Sequence, residues 1–146
     1  MSLVAGHTEE VAKWVAARIP HVGDVGFGPC EAIGVVGSNG LIAGVVYHDY
    51  QPRAGSIQLS MAADNPRWAK KEIIAGLLRY PFEQLKCYRV WTGTPIDNTM
   101  ALRVNSKIGF TREAVLAHGF GYKKHTVIMR MLLPDYTRRY INEPRK

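Results

Sequence analysis

Cysteine is scarce in this chain of 146 residues: only Cys30 and Cys87 are present, without the CxxC spacing of a metal knuckle or redox site. A chain of this length folds without a disulfide, and both thiols read as free and buried. Long apolar runs are missing too, since no stretch approaches the roughly 18 to 20 residues that a membrane span requires. MSLVAGHTEE at the N-terminus lacks a basic region followed by a long apolar stretch, so the protein is expected to be cytoplasmic. There is no internal repeat, low-complexity segment or linker, which predicts a single domain over residues 1–146 with a short basic C-terminal tail. His118 and His125 have neither i, i+4 pairing nor carboxylate spacing, and no metal site is expected.

Acidic residues are also in short supply, 12 Asp and Glu against 19 Lys and Arg, for a formal charge of +7. Such a surplus suits an anionic partner, whether nucleic acid, an acidic protein or a phosphorylated cofactor, and does not choose among them. Much of it sits at Arg67 to Lys71 and in the tail from Arg130 to Lys146, where Arg138, Arg139, Arg145 and Lys146 cluster. The tail reads as a solvated terminus. What is plentiful is apolar material, 47% of the chain, enough for an ordinary globular core.

Thr8 followed by Glu9 and Glu10 opens a helix that should run from about Glu9 to Ile19, stopped by Pro20. A glycine-rich loop follows, from His21 to Pro29. EAIGVV and LIAGVVYHDY, separated by Gly37 to Gly40, read as a hairpin. SIQLSMA alternates Ile57, Leu59 and Met61 against Ser56, Gln58 and Ser60, as a strand with one buried face does. Arg67 to Leu85 carries Ile73, Ile74, Leu77, Leu78, Phe82 and Leu85 at helical spacing, kinked late by Pro81. A strand at Tyr88 to Thr94, a helix at Asn98 to Ile108 and strands at Thr111 to Leu116 and Thr126 to Leu132 complete the order α, βββ, α, β, α, ββ. Asp97 or Asn98 can cap the later helix, Ala101, Val104 and Ile108 make its apolar stripe, and Gly109 can close it.

That order, together with NTMALRVNSKIGF from Asn98 to Phe110, resembles the GNAT superfamily of acyl-CoA N-acyltransferases. The shared features are an Asn opening a short helix, the small Ala101, the basic Arg103 and Lys107, and a closing Gly109-Phe110. The following TREAVLAHGFGYKKHTVIMRML resembles the last strands of the ribosomal-protein N-terminal acetyltransferases, and the likeness covers about Ala54 to Leu133. The resemblance implies an α/β (α+β) fold with a mixed, mostly antiparallel sheet of about six to seven strands, flanked by about three to four helices. It further implies transfer of an acetyl or other acyl group from acetyl-CoA to a primary amine, by direct attack in a ternary complex.

The resemblance also implies roles for particular residues. Asn98, Ala101, Arg103 and Lys107 would border the pantetheine arm, and backbone around Met61, Ala62 and Ala63 would receive the thioester oxygen. The pyrophosphate loop maps onto Asn65 to Lys70, where Trp68 and Lys70 replace the family's two glycines. A side chain at Trp68 is expected to obstruct the approach of backbone to phosphate. Arg67, Trp68, Ala69, Lys70 and Lys71 nevertheless bring cations and helix-start amides to one place, and an anion there would relieve the clash of cations with the helix dipole. The family's tyrosine acid corresponds to Asn105 and is missing. Candidate proton-transfer groups are His48, Glu31 and Tyr122, with Tyr47 a further phenol. Two rivals remain, an inactive GNAT-like binding module and a nucleic-acid-associated protein, although no helix-turn-helix, zinc-knuckle or aromatic RNA-binding signature is present. A monomer or homodimer is expected.

Overall fold

The computed structural model describes residues 1–142 and holds the expected succession of elements, with one more at each end. In chain order these are β1 (Ser2–Val4), α1 (Thr8–Ala16), β2 (Cys30–Gly37), β3 (Gly40–Gln51), β4 (Ser56–Ala63), α2 (Lys71–Arg79), β5 (Arg89–Pro95), α3 (Thr99–Ile108), β6 (Thr111–Leu116), β7 (Thr126–Leu132) and α4 (Leu133–Tyr136). Among the described residues the strands form one seven-stranded sheet, ordered β1-β2-β3-β4-β5-β7-β6. The mixed, mostly antiparallel sheet is therefore present, with helices on both faces.

The period of two in each strand sorts its side chains between those faces. On one face Val11 and Val15 of α1 pack over Ala32 and Val46. Their close approach depends on Gly44, where a Cβ would stand 2.7 Å from Val15 Cγ2. On the other face Ile73, Ile74, Leu77 and Leu78 of α2 cover Val45, Tyr47, Ile57 and Leu59. The buried Tyr47 hydroxyl donates to the Leu77 carbonyl at 2.7 Å, tying sheet to helix.

One junction in the sheet differs from the rest. β4 and β5 run parallel and pair only over residues 56–58 against 89–91. Beyond that point β4 stays paired with β3, and β5 with β7, while their facing edges separate. Successive amides of a strand point to opposite edges, so part of the backbone over residues 59–63 faces a gap rather than a neighbour.

Helix boundaries depart from expectation for local reasons. α1 ends at Ala16 because the chain tightens, Arg18 N bonding to Val15 O and Ile19 N to Ala16 O. Residues 66–68 make a separate short turn, held by the Asn65 side-chain oxygen accepting from Arg67 N at 2.9 Å, and α2 starts only at Lys71. Pro81 lacks an amide, and the chain answers with a wide turn at Tyr80–Gln84 in which Leu85 N reaches back to Tyr80 O.

The tail, expected to be a solvated terminus, is instead docked as far as it is described. Tyr136 is buried, stacks on Phe82 with centroids 4.7 Å apart, and donates to Glu83. Arg139 and Tyr140 donate to the carbonyls of Lys107 and Ile108 at the end of α3, acceptors that a helix cannot satisfy internally. Gly109 closes α3 with φ +120° and leaves room for the Arg139 side chain, whose Cδ lies 2.8 Å from where a Cβ would be. Arg145 and Lys146 lie outside the described residues.

Candidate functional site

The gap between β4 and β5 opens into a cleft of about 340 Å³. Its walls are the β4 segment from Leu59 to Ala63, the β5 segment from Thr92 to Pro95, and Asn98, Met100, Ala101, Val104 and Asn105 of the α3 region. Met61, Ala62, Ala63, Asn98 and Ala101 thus share one wall system. Asn98 caps α3, its side-chain oxygen accepting from Ala101 N at 3.2 Å. The apolar stripe of α3 is corrected: Leu102, Asn105 and Ile108 are buried, while Ala101 and Val104 turn to the cleft.

Trp68 also requires correction. Its ring is 4% exposed and packs into the core beneath the cleft, so it does not stand at the mouth of α2 as an obstruction. An indole carries a large apolar surface to bury, and the short turn before α2 gives it room to point inward.

A second groove continues from the cleft, sharing Pro66, Met100 and Val104 with it. Four cationic residues line it: Lys71 at the start of α2, Arg103 and Lys107 on α3, and Arg139 after α4. Ala69 completes the α2 side, whereas Arg67 and Lys70 are exposed nearby and line neither opening. Arg139 was not legible as a site residue, because only the docking of the C-terminal segment brings it to α3.

Among the described residues two buried side-chain oxygens lack a partner, Thr92 Oγ1 and Thr126 Oγ1. Thr92 lines the cleft while being 3% exposed. A buried hydroxyl without a hydrogen bond costs about 1 to 3 kcal/mol.

On the α1 face, Ser60 reaches the cleft from β4. Its Oγ lies 2.8 Å from His48 Nε2, and His48 Nδ1 lies 3.1 Å from Asp49 Oδ2. His48 is 8% exposed, with Phe27 tilted against it at 5.1 Å. Burial pulls its pKa below the ordinary imidazole value, and the charge and hydrogen bond of Asp49 pull the other way. The remaining proton-transfer candidates stand elsewhere. Glu31 lies off the cleft and accepts from the Thr8 hydroxyl at 2.9 Å. Tyr122 is 80% exposed and stacks on His118. Tyr47 is spent in the core on Leu77.

The mouth is bounded by Arg18, which grips Asp64 through two bonds of 2.8 and 3.1 Å and lies over the Trp14 ring. His21 stacks on Phe120 at 3.9 Å and ties the loop after α1 to the loop before β7. His118 and His125, far apart in sequence-pattern terms, meet in that second loop as hydrogen-bond acceptors for backbone amides. Among the described residues no group of three or more His, Cys, Asp or Glu is placed to hold a metal ion, and no helix is long and apolar enough to cross a membrane. Cys87 is buried and Cys30 only half-buried, both as free thiols.

No family model and no curated protein sequence matches the chain. Solved structures do. A point mutant of spermidine N-acetyltransferase SpeG from Vibrio cholerae superposes with a TM-score of 0.75 at 15% identity, over 95% of this chain and 99% of that one. A chimera of that enzyme with hSSAT gives 0.74 at 16% identity, over 95% and 100%. Mutant forms of the spermidine/spermine N-acetyltransferase SpeG from Vibrio cholerae give 0.66 at 19% identity, over 82% and 75%. These neighbours do not carry the finer likeness to ribosomal-protein N-terminal acetyltransferases. What they share with this chain, at such identities, is architecture: it has the GNAT acetyltransferase fold.

Proposed function

We propose that the chain is an acyl-CoA-dependent N-acyltransferase that moves an acetyl group from acetyl-CoA to a primary amine in a ternary complex. One observation carries this reading: the opened β4–β5 edge runs continuously into a groove lined by four cations. An extended amide-bearing arm can bond to the exposed backbone edge as an added strand would. Phosphates at its far end meet Lys71 at the start of α2 together with Arg103 and Lys107 of α3 and Arg139 after α4. With the Asn98 oxygen committed to its cap, its NH₂ is the half of the amide left to donate to the arm.

In this arrangement the amine nitrogen attacks the thioester carbon and negative charge grows on the carbonyl oxygen. In this reading an amide of β4 among residues 61–63 that faces the gap rather than β3 donates to it. The thiolate then departs. Coenzyme A phosphates, rather than a nucleic-acid backbone, fit a charged groove that is continuous with an apolar cleft.

The SpeG neighbours are named for spermidine. Here the acidic group at the mouth, Asp64, is consumed by Arg18, so the cleft offers poor charge compensation for a polycation, and an acceptor with a single amine fits better. Calorimetry with acetyl-CoA tests the assignment. Binding in the micromolar range is expected, weakened about 10-fold in Asn98→Ala by loss of one ligand hydrogen bond. No heat and no thermal shift at millimolar acetyl-CoA would sink it. Binding without thiol release toward any amine would instead mark an inactive module.

A further inference from the structure

Asp49, His48 and Ser60 form an unbroken hydrogen-bonded chain from the protein surface to the cleft, and nothing in the fold alone requires it. His48 Nδ1 stands 3.1 Å from the Asp49 carboxylate, and Nε2 stands 2.8 Å from Ser60 Oγ. A carboxylate only accepts, so Nδ1 carries the ring proton and Nε2 is the acceptor. The Ser60 hydroxyl therefore donates to His48, and its lone pairs are left for the cleft that Ser60 lines.

The backbone is bent to make this contact. Adjacent residues of a strand point to opposite faces, so Asp49 would ordinarily face away from His48. Instead Asp49 adopts φ 53°, and the pairing of β3 with β4 slips between His48 and Gln51. A non-glycine residue in the left-handed region is disfavoured and persists only where the surroundings hold it. Here it turns the carboxylate back onto the imidazole. The other groups facing the ring carry no charge: Cys30 on β2, which pairs opposite His48, Phe27 in the preceding loop, and Gln58 and Ser60 on β4.

We propose that this chain is the proton relay for acyl transfer, with Ser60 as the catalytic residue that touches the acceptor nitrogen, His48 as the proton store and Asp49 as its positioning residue. This rests on the acyltransferase reading above. As the C–N bond forms, the carbonyl π pair moves onto oxygen and the nitrogen becomes cationic. Its proton passes to Ser60 Oγ while the Ser60 proton passes to His48 Nε2, giving an imidazolium held by Asp49. Collapse of the oxyanion breaks the C–S bond. The thiolate takes a proton from solvent, and the imidazolium returns one to solvent, so the count closes.

The test measures acetyl-CoA binding by calorimetry, and thiol release with n-butylamine and with spermidine across pH 5 to 9. Wild type is compared with Ser60→Ala, His48→Gln and Asp49→Asn, and the His48 ring tautomer is read by ¹⁵N NMR. Acetyl-CoA affinity is expected to stay within about 3-fold throughout, while Ser60→Ala and His48→Gln lose about 10² to 10³-fold in kcat/KM. Asp49→Asn removes the charge that raises the His48 pKa, so its acid limb moves to lower pH as its plateau falls, a signature that a merely structural role would not produce. Asp49 is exposed and the change conservative, so this variant folds even where a change at buried His48 does not. Wild type that fails to bind acetyl-CoA overturns the acyltransferase reading and the relay with it. Intact binding with wild-type release no faster than Ser60→Ala, or with the same acid limb in all three variants, overturns the relay alone. So does a proton on Nε2, or an acetyl group trapped on Ser60, which would make it a nucleophile.

Discussion

At the scale of single residues, the informative side chains are those whose surroundings contradict their chemistry. Thr92 buries a hydroxyl without a partner at the cleft wall, which costs the empty protein stability. Thr92→Val keeps the shape and removes the orphan. The variant is expected to gain about 1 kcal/mol in stability, which denaturant melts would show. Trp68 teaches the converse. From sequence it stood where a glycine belongs and read as an obstruction. A side chain's direction depends on the backbone that carries it, and the turn at Pro66–Trp68 aims this one into the core. Asn98 and Gly109 were legible because capping chemistry is local: an amide oxygen needs an amide three residues on, and a left-handed terminus needs glycine.

At the scale of elements, the segment after β7 carries more than its composition implied. Arg139 and Tyr140 close the end of α3, and Arg139 also faces the groove at the start of α2. Arg139→Ala is expected to weaken acetyl-CoA binding about 5-fold and to lower stability by about 1 kcal/mol through the lost cap. Arg138→Ala, which breaks only the exposed bond to Asp135, should change both by less than half as much. Thermal melts and calorimetry on the pair separate cap from surplus charge. This helix was missed because Leu133, Tyr136 and Tyr140 repeat at helical spacing over only about two turns, too short a pattern to stand out beside the basic tail, and its order comes from packing such as Tyr136 on Phe82 rather than from its own propensity. Strand β1 was missed for the related reason that three residues show no period, and only β2 gives them partners.

For the molecule as a whole, pH acts through groups of consistent sign. Asp64 and Glu113 are held below the usual carboxylate range by Arg18 and by Arg89 with Arg130, so the stability they contribute is lost as pH falls through their folded pKa values. His48 is depressed by burial, so the unfolded chain binds its proton first, and stability falls as pH drops below about 6.5. Tyr47 and Tyr136 are raised, chiefly by burial, so their ionisation favours the unfolded chain above about pH 10. Burial also raises the Cys30 and Cys87 thiols, so the loss at high pH begins near their ordinary value of about 9. The melting temperature should therefore be highest between about pH 6.5 and 9 and decline on both sides, which scanning calorimetry across pH 4 to 11 checks. A maximum below pH 6 would contradict these environments.

What the sequence determined by itself follows from short-range physics. Periods of two and of 3.6, proline stops, turn glycines and the Asn98 cap place most elements within a few residues, because each depends on neighbours a turn or a strand pair away. The cleft could not be read that way. It exists because β4 and β5, joined through α2, pair for three residues and then part, a decision made by packing on both faces. The Asp49–His48–Ser60 chain is likewise tertiary. His48 was singled out for its pKa, but its link to Ser60 spans two strands, and its link to Asp49 needs a bulge that no local pattern announces.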